Sequence, residues 1–224
     1  MEDLACLRQY YKEFLDDCCA HGLGFFETKN RDDFYEWGYN GTERPNYVFC
    51  ASGATKMVMW DDRAPYVIKI PFIDERSGYR DYCEIELHNY EQAHHFPEIV
   101  NCFAQVEFLF AYKNHPIYIM EKVDCDEQGI SEAAYDTSFV SFCDREGFEE
   151  GSEEYEDARD HFSDEYYDWW EGLEQIEALF CDCWGGRTFD CFRDYCSFHN
   201  INDLHTANWG WRGSELVVVD YSGI

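Results

Sequence analysis

Positive charge is what this sequence has least of: 17 Lys and Arg stand against 47 Asp and Glu in 224 residues, a formal net charge of −30. Such a chain repels nucleic-acid phosphates and anionic lipid head groups, which argues against direct binding to either. Long apolar runs are missing as well, and none approaches the roughly 20 residues of a membrane span. The N-terminus, MEDLACLRQYYKEF, has acids at once and no uninterrupted apolar stretch, so no signal peptide is expected. The paired C-x-x-C spacing of zinc sites is also absent from the twelve cysteines: Cys18 and Cys19 are adjacent, Cys181 and Cys183 are one apart, and Cys191, Cys196 and His199 form a loose cluster. Without a secretion signal these read as reduced thiols in a cytoplasmic protein rather than a disulfide framework.

What is present is ample material for a core, with 46% apolar and 19% aromatic residues. Leu4, Leu7, Phe14, Leu15 and Cys18 make a helical stripe over residues 2–20, with Gly22 as a stop. A polar connection from Glu27 to Pro45 follows. Short β-rich runs come next at 47–50, 57–60 and 66–70, separated by turn residues. A helical stretch, 82–93, precedes two more strand-like runs at 105–112 and 116–123. Three strands, a helix and two strands predict a compact α+β unit.

Between Asp144 and Glu171 thirteen acidic residues face only Arg145 and Arg159, with aromatics interleaved. That pattern predicts acidic-faced helices that bury Tyr155, Phe162, Tyr166, Trp169 and Trp170, not a disordered tail. Residues 173–200 continue as helix, broken at Gly185-Gly186. A tight loop and one strand, Leu216–Val219, end the chain.

Chemistry concentrates in Asp203-Leu-His-Thr-Ala-Asn208 and in Val218-Val-Asp220. An acid five residues before an amide, then an apolar strand delivering a second acid, suits phosphoryl transfer. One carboxylate orients a hydroxyl, while an amide oxygen and a carboxylate hold magnesium on the phosphates. These residues resemble the protein-kinase superfamily, including its aminoglycoside-phosphotransferase-like branch, whose catalytic loop reads D-L-H-x-x-N. Val67-Ile-Lys69 is similar to the third-strand V-A-I-K lysine, and Ala51–Val58 to a degenerate glycine-rich loop in which Gly53 and Val58 survive. The resemblance spans residues 47–223.

The resemblance implies a two-lobed α+β fold: an N-terminal helix and connection (1–45), a five-stranded antiparallel N-lobe (46–124) and a reduced, mostly helical C-lobe (125–224). It implies ATP and Mg²⁺ as cofactors. Lys69 would take the phosphates, Glu84 would pair with Lys69 in preference to Glu86 or Glu91, and Asp203 would be the catalytic base. Asn208 and Asp220 would hold the metal, while Gly53 and the strand-and-hinge residues Met120, Glu121 and Val123 would cradle the nucleotide. Departures stand beside it: Ile201-Asn202 replace the usual His-Arg, Ser222 takes the D-F-G glycine's place, and no activation segment follows Asp220. Two functions are therefore expected side by side. One is a kinase-like nucleotide-binding protein that transfers phosphate from ATP-Mg to a partner. The other is an inactive, strongly acidic inhibitor on the same scaffold, mimicking nucleic acid toward a basic host protein or nucleic-acid-binding complex, as a phage-encoded anti-defence or anti-CRISPR protein does.

Overall fold

In the computed structural model, which describes residues 4–41, 44–165, 167 and 172–223, the chain is α+β and divides into two compact units. The first comprises Met1–His88 and Gln105–Lys122, the second Asn89–Ala104 and Val123–Ile224. The N-terminal segment thus belongs to the sheet unit rather than standing apart at residue 45, and residues 89–104 go with the helices.

The sheet unit opens with α1 (Leu4–Ala20), whose buried residues Leu7, Tyr11, Phe14, Leu15 and Cys18 recur at helical spacing. Leu4 is only half-buried. Each large apolar side chain so buried contributes about 1.5–3 kcal/mol. Polar anchors fix the docking: the Tyr11 hydroxyl donates to the Tyr66 carbonyl at 2.7 Å, and Arg8 Nε donates to the Leu109 carbonyl at 2.8 Å. The segment expected to be a plain connection instead folds into α2 (Phe25–Thr28), α3 (Arg31–Tyr35) and a π turn, Glu36–Asn40. Phe25, Phe26, Phe34 and Trp37 are buried there, which supplies what propensity over such short pieces could not.

Five antiparallel strands follow: β1 (Val48–Ser52), β2 (Lys56–Asp61), β3 (Tyr66–Pro71), β4 (Val106–Tyr112) and β5 (His115–Glu121), in the order β1-β2-β3-β5-β4. The register sets Lys69 opposite Val58 on one side and Tyr118 on the other. Met57, Met59, Ile68, Ile70, Ile117 and Ile119 share one core with the stripe of α1. Helix α4 (Tyr82–Ala93) lies between β3 and β4 in the chain. Its N-cap is Asp81, which accepts from the Glu84 amide at 2.9 Å and from the Tyr118 hydroxyl at 2.8 Å.

The second unit contains α5 (Glu127–Glu146), α6 (Glu153–Glu165), α7 (Leu173–Trp184) and α8 (Gly186–His199), with a two-stranded hairpin of β6 (Trp209–Arg212) and β7 (Glu215–Val218). On α6, Tyr155, Ala158 and Phe162 turn toward α5, and the ring of fully buried Phe162 lies 5.3 Å from both Phe139 and Phe142. Glu153, Glu154, Glu156, Asp157 and Asp160 are all exposed. The expected division into an acidic and an aromatic face therefore holds along α6, while Tyr166, Trp169 and Trp170 lie outside the described residues. A second aromatic cluster joins Phe103, Phe180, Phe192, Trp209 and Tyr221. Gly210 is required by close packing: a Cβ there would meet Val123 Cγ2 at 2.5 Å and the Asp124 carbonyl at 3.3 Å. Among the described residues no helix is long and apolar enough to cross a membrane.

Candidate functional site

Lys69 sits on the central strand β3 with a side chain 5% exposed, and it donates to Glu86 Oε1 at 3.0 Å and Oε2 at 2.9 Å. Glu84, the expected partner, is exposed. Helix geometry decides between them, because residues two apart point about 200° away from each other at 3.6 residues per turn. Once Cys83 and Glu86 face inward, Glu84 must face out, where as the third helical residue it complements the helix N-terminus. Glu91 is exposed too.

Glu86 has a second lysine that sequence reasoning did not select. Lys56 on β2, only 3% exposed, donates to the same Oε1 at 2.6 Å. The signal was legible as a cation opening the otherwise apolar strand Lys56-Met-Val-Met-Trp60, a position that burial tolerates only with an anionic partner. The three charges also mark their neighbour: the fully buried Cys83 thiol is pushed far up, by burial first and by Glu86 next, with Lys56 and Lys69 opposing.

The stretch compared with a glycine-rich loop is largely strand. Ala51 and Ser52 belong to β1, Lys56 to Val58 belong to β2, and Gly53 opens a tight turn that its amide closes onto the Lys56 carbonyl at 3.0 Å. Two carbonyls of that turn are taken: Ala54 accepts from Arg31 at 2.8 Å and Thr55 from the Phe72 amide at 2.8 Å. Arg31 in turn donates twice to Asp74, at 2.7 and 2.5 Å, and lies over the Phe72 ring. Within this hairpin the Gly53 amide is committed to the Lys56 carbonyl.

Further along, Met120 is buried in the sheet, and the Glu121 amide donates to the Gln105 carbonyl at 2.9 Å. The acceptor, Gln105, is the residue that immediately precedes β4. Val123 lies outside the strand, packed on Gly210.

In the second unit, Ile201 and Leu204 are buried and hold the loop down, leaving the Asp203 side chain half-exposed. Asn208 Nδ2 donates to the Asp203 carbonyl at 2.7 Å, and His205 Nε2 lies 3.5 Å from Asp203 Oδ1. The Val219 amide donates to the Asn208 carbonyl at 2.8 Å, so Asn208 and Asp220 sit on adjoining backbone. Ser222 Oγ donates to Asp220 Oδ1 at 3.0 Å. Gly223 stands one place later than the resemblance implies for a physical reason: its φ is +65°, and a Cβ there would overlap the Asn200 carbonyl oxygen.

Among the described residues no three His, Cys, Asp or Glu side chains gather to hold a metal ion. One amide oxygen and one carboxylate suffice for magnesium only when phosphate oxygens and water complete its six positions. The donor set at Asn208 and Asp220 thus fits a magnesium ion that arrives with phosphate. None of the twelve cysteines is bridged. Comparison with protein-family models, with curated proteins and with solved structures found no match.

Proposed function

We propose that this protein is a kinase-like binder of ATP with magnesium, on a trimmed protein-kinase-like scaffold. The observation that carries the reading is the buried pair of Lys69 on the third strand with Glu86 on the helix that follows it. The arrangement of three strands, helix and two strands around it supports the same reading. So does the loop in which Asn208 and Asp220 adjoin, five and seventeen residues after Asp203. In this reading Lys69 binds the phosphates, Glu86 positions Lys69, Asn208 and Asp220 hold magnesium, and Asp203 takes the proton of the accepting hydroxyl. Bound magnesium supplies charge neutralisation at the transferring phosphate. The test is thermal unfolding with and without ATP-Mg. A nucleotide in hundredfold excess over its dissociation constant stabilises the native state by about 2.7 kcal/mol. An unchanged melting temperature at millimolar ATP-Mg would refute the reading.

A second reading, an acidic inhibitor that presents carboxylates to a basic protein where phosphates would sit, is favoured by one observation: the exposed acids of α6 share one side while Tyr155 and Phe162 turn to α5. Association through that face weakens steeply with salt, since exposed charges are screened over about 10 Å at 0.1 M.

A further inference from the structure

The turn between β1 and β2, residues 52–55, is gripped by the segment that precedes the sheet. Tyr39 and Ser52 share a hydrogen bond between their hydroxyls at 3.1 Å, the Tyr35 hydroxyl donates to the Gly53 carbonyl at 3.3 Å, and Arg31 Nη1 donates to the Ala54 carbonyl at 2.8 Å. These three residues recur every four positions along α3 and the π turn, so they line one side of that segment. Asn30 caps α3 by accepting from the Asp32 amide at 3.1 Å. Packing holds the segment in place: the Tyr35 ring lies 6.3 Å from that of Tyr39 and 5.9 Å from that of Phe72, and the buried Phe34 ring lies 6.3 Å from Phe72.

Arg31 holds more than the turn. Its other two nitrogens, Nε and Nη2, take both oxygens of Asp74, a fork that arginine can supply and lysine cannot. Asp74 belongs to the connection from β3 to α4. That connection closes on itself, with the Tyr79 amide donating to the Asp74 carbonyl at 2.7 Å and the Asp74 amide to Ser77 Oγ at 3.0 Å. The turn runs straight into Lys56, the residue after Thr55, and the connection runs into Asp81, the N-cap of the helix that carries Glu86. One buried side chain therefore holds the approaches to both members of the Lys56–Glu86 pair.

We propose that α3 and the π turn form a strap over the candidate site, which lets the β1–β2 turn and the β3–α4 connection open only together. Arg31, Tyr35 and Tyr39 are then positioning residues for Lys56 and Glu86. The three bonds to the turn act as a unit, because releasing one residue loosens the peptide on which the next bond is made. Tyr39, 59% exposed, is the accessible end of the strap. Opening of such a surface segment is governed by the few bonds that hold it. The strap is a property of the sheet unit alone, and its bearing on phosphate binding rests on the nucleotide reading above.

The experiment is amide hydrogen exchange on the full chain, first without nucleotide. Tyr35→Phe with Tyr39→Phe removes two hydroxyls and keeps both rings. Exchange at the Gly53 and Phe72 amides, which are bonded to the Lys56 and Thr55 carbonyls, should rise at least about fivefold, and at the Tyr79 amide by a similar factor. The Glu121 amide, bonded to Gln105, should change less than about twofold. Arg31→Lys keeps a cation and loses the fork; in that background the tyrosine substitutions should still speed Gly53 and no longer reach Tyr79. Unchanged exchange at Gly53, equal acceleration at Glu121, or acceleration at Gly53 that leaves Tyr79 untouched while Arg31 is present overturns the strap. Saturating ATP-Mg should return Gly53 exchange in the tyrosine variant to within about twofold of the wild type. A raised melting temperature without that slowing detaches the strap from the site. An unmoved melting temperature refutes the nucleotide reading, and exchange without nucleotide still decides the strap.

Discussion

Replacing Glu86 by Gln is the sharpest perturbation available in the sheet unit. The two ammonium nitrogens, 2.6 and 3.0 Å from the same Glu86 oxygen, lie no more than 5.6 Å apart. At an effective dielectric near 20 their mutual repulsion is about 3 kcal/mol. The Glu86 carboxylate offsets that repulsion and meets both donors in a site where Lys56, Lys69 and Glu86 are at most 5% exposed. Removing one member of a buried ion cluster costs about 3–5 kcal/mol, and here the lost attraction and the unmasked repulsion act together. We expect Glu86→Gln at the upper end of that range. For a chain of this size 1 kcal/mol moves the melting temperature by about 2–4 °C, so a loss near 5 kcal/mol should shift it by about 10–20 °C. Glu84→Gln, two residues away and exposed, should stay within about 0.5 kcal/mol. Urea unfolding followed by near-UV circular dichroism measures both. If Glu84→Gln costs as much as Glu86→Gln, the assignment of the buried partner is wrong.

Further outcomes follow from other sites. Asp220→Ala should abolish the stabilisation by ATP-Mg, whereas Asp203→Ala should keep it and lose phosphate transfer; indistinguishable variants would contradict the separate roles. His115 is buried against Phe25 and Phe26 with neither ring nitrogen hydrogen-bonded. Its pKa is lowered by burial first and then by Lys29, with Asp81 opposing. Because the folded pKa is depressed, the unfolded chain takes up the proton first, so stability is full above about pH 6.5 and falls as the pH drops below it. His115→Leu should raise stability at neutral pH by about 1 kcal/mol and flatten that fall, read from urea midpoints at pH 7.5 and 5.5. Gly210→Ala should cost about 1–3 kcal/mol because the β-branched Val123 cannot yield, measured by thermal unfolding. Neutral amides at Glu149, Glu150, Glu153, Glu154, Glu156 and Asp157 should abolish salt-sensitive binding to a basic partner if the second reading holds, and leave nucleotide binding intact.

Most regular elements were legible because their residues carry strong periodicity. Tyr82–Ala93 is helical over the expected span, and the helical run from Leu173 breaks at Gly185 as its glycines indicate. What could not be read were elements stabilised by partners distant in sequence. The two short helices at Phe25 and Arg31 have too few turns to announce themselves, and β6 became visible only through its pairing with β7. At the candidate site, Lys69 was legible as a cation in an apolar strand. Its partner was not, since choosing between Glu84 and Glu86 requires the rotational phase of α4. Lys56 escaped because the expected strand began at Met57, one residue after it, and residues 51–58 were compared with a glycine-rich loop.

The docking of α1 has a temporal consequence during synthesis. Its anchors include Leu109, whose carbonyl accepts from Arg8, and Tyr112, whose hydroxyl donates to Asp16 at 2.8 Å. These are separated from α1 by 101 and 96 residues. At translation rates of about 5–20 residues per second, roughly 5–20 s pass between synthesis of α1 and of the strand it docks on. Throughout that interval Leu7, Tyr11, Phe14, Leu15 and Cys18 stay on a nascent chain whose sheet is incomplete. The apolar stripe that ends buried in the core of the sheet unit thus begins exposed on the nascent chain, open to a chaperone.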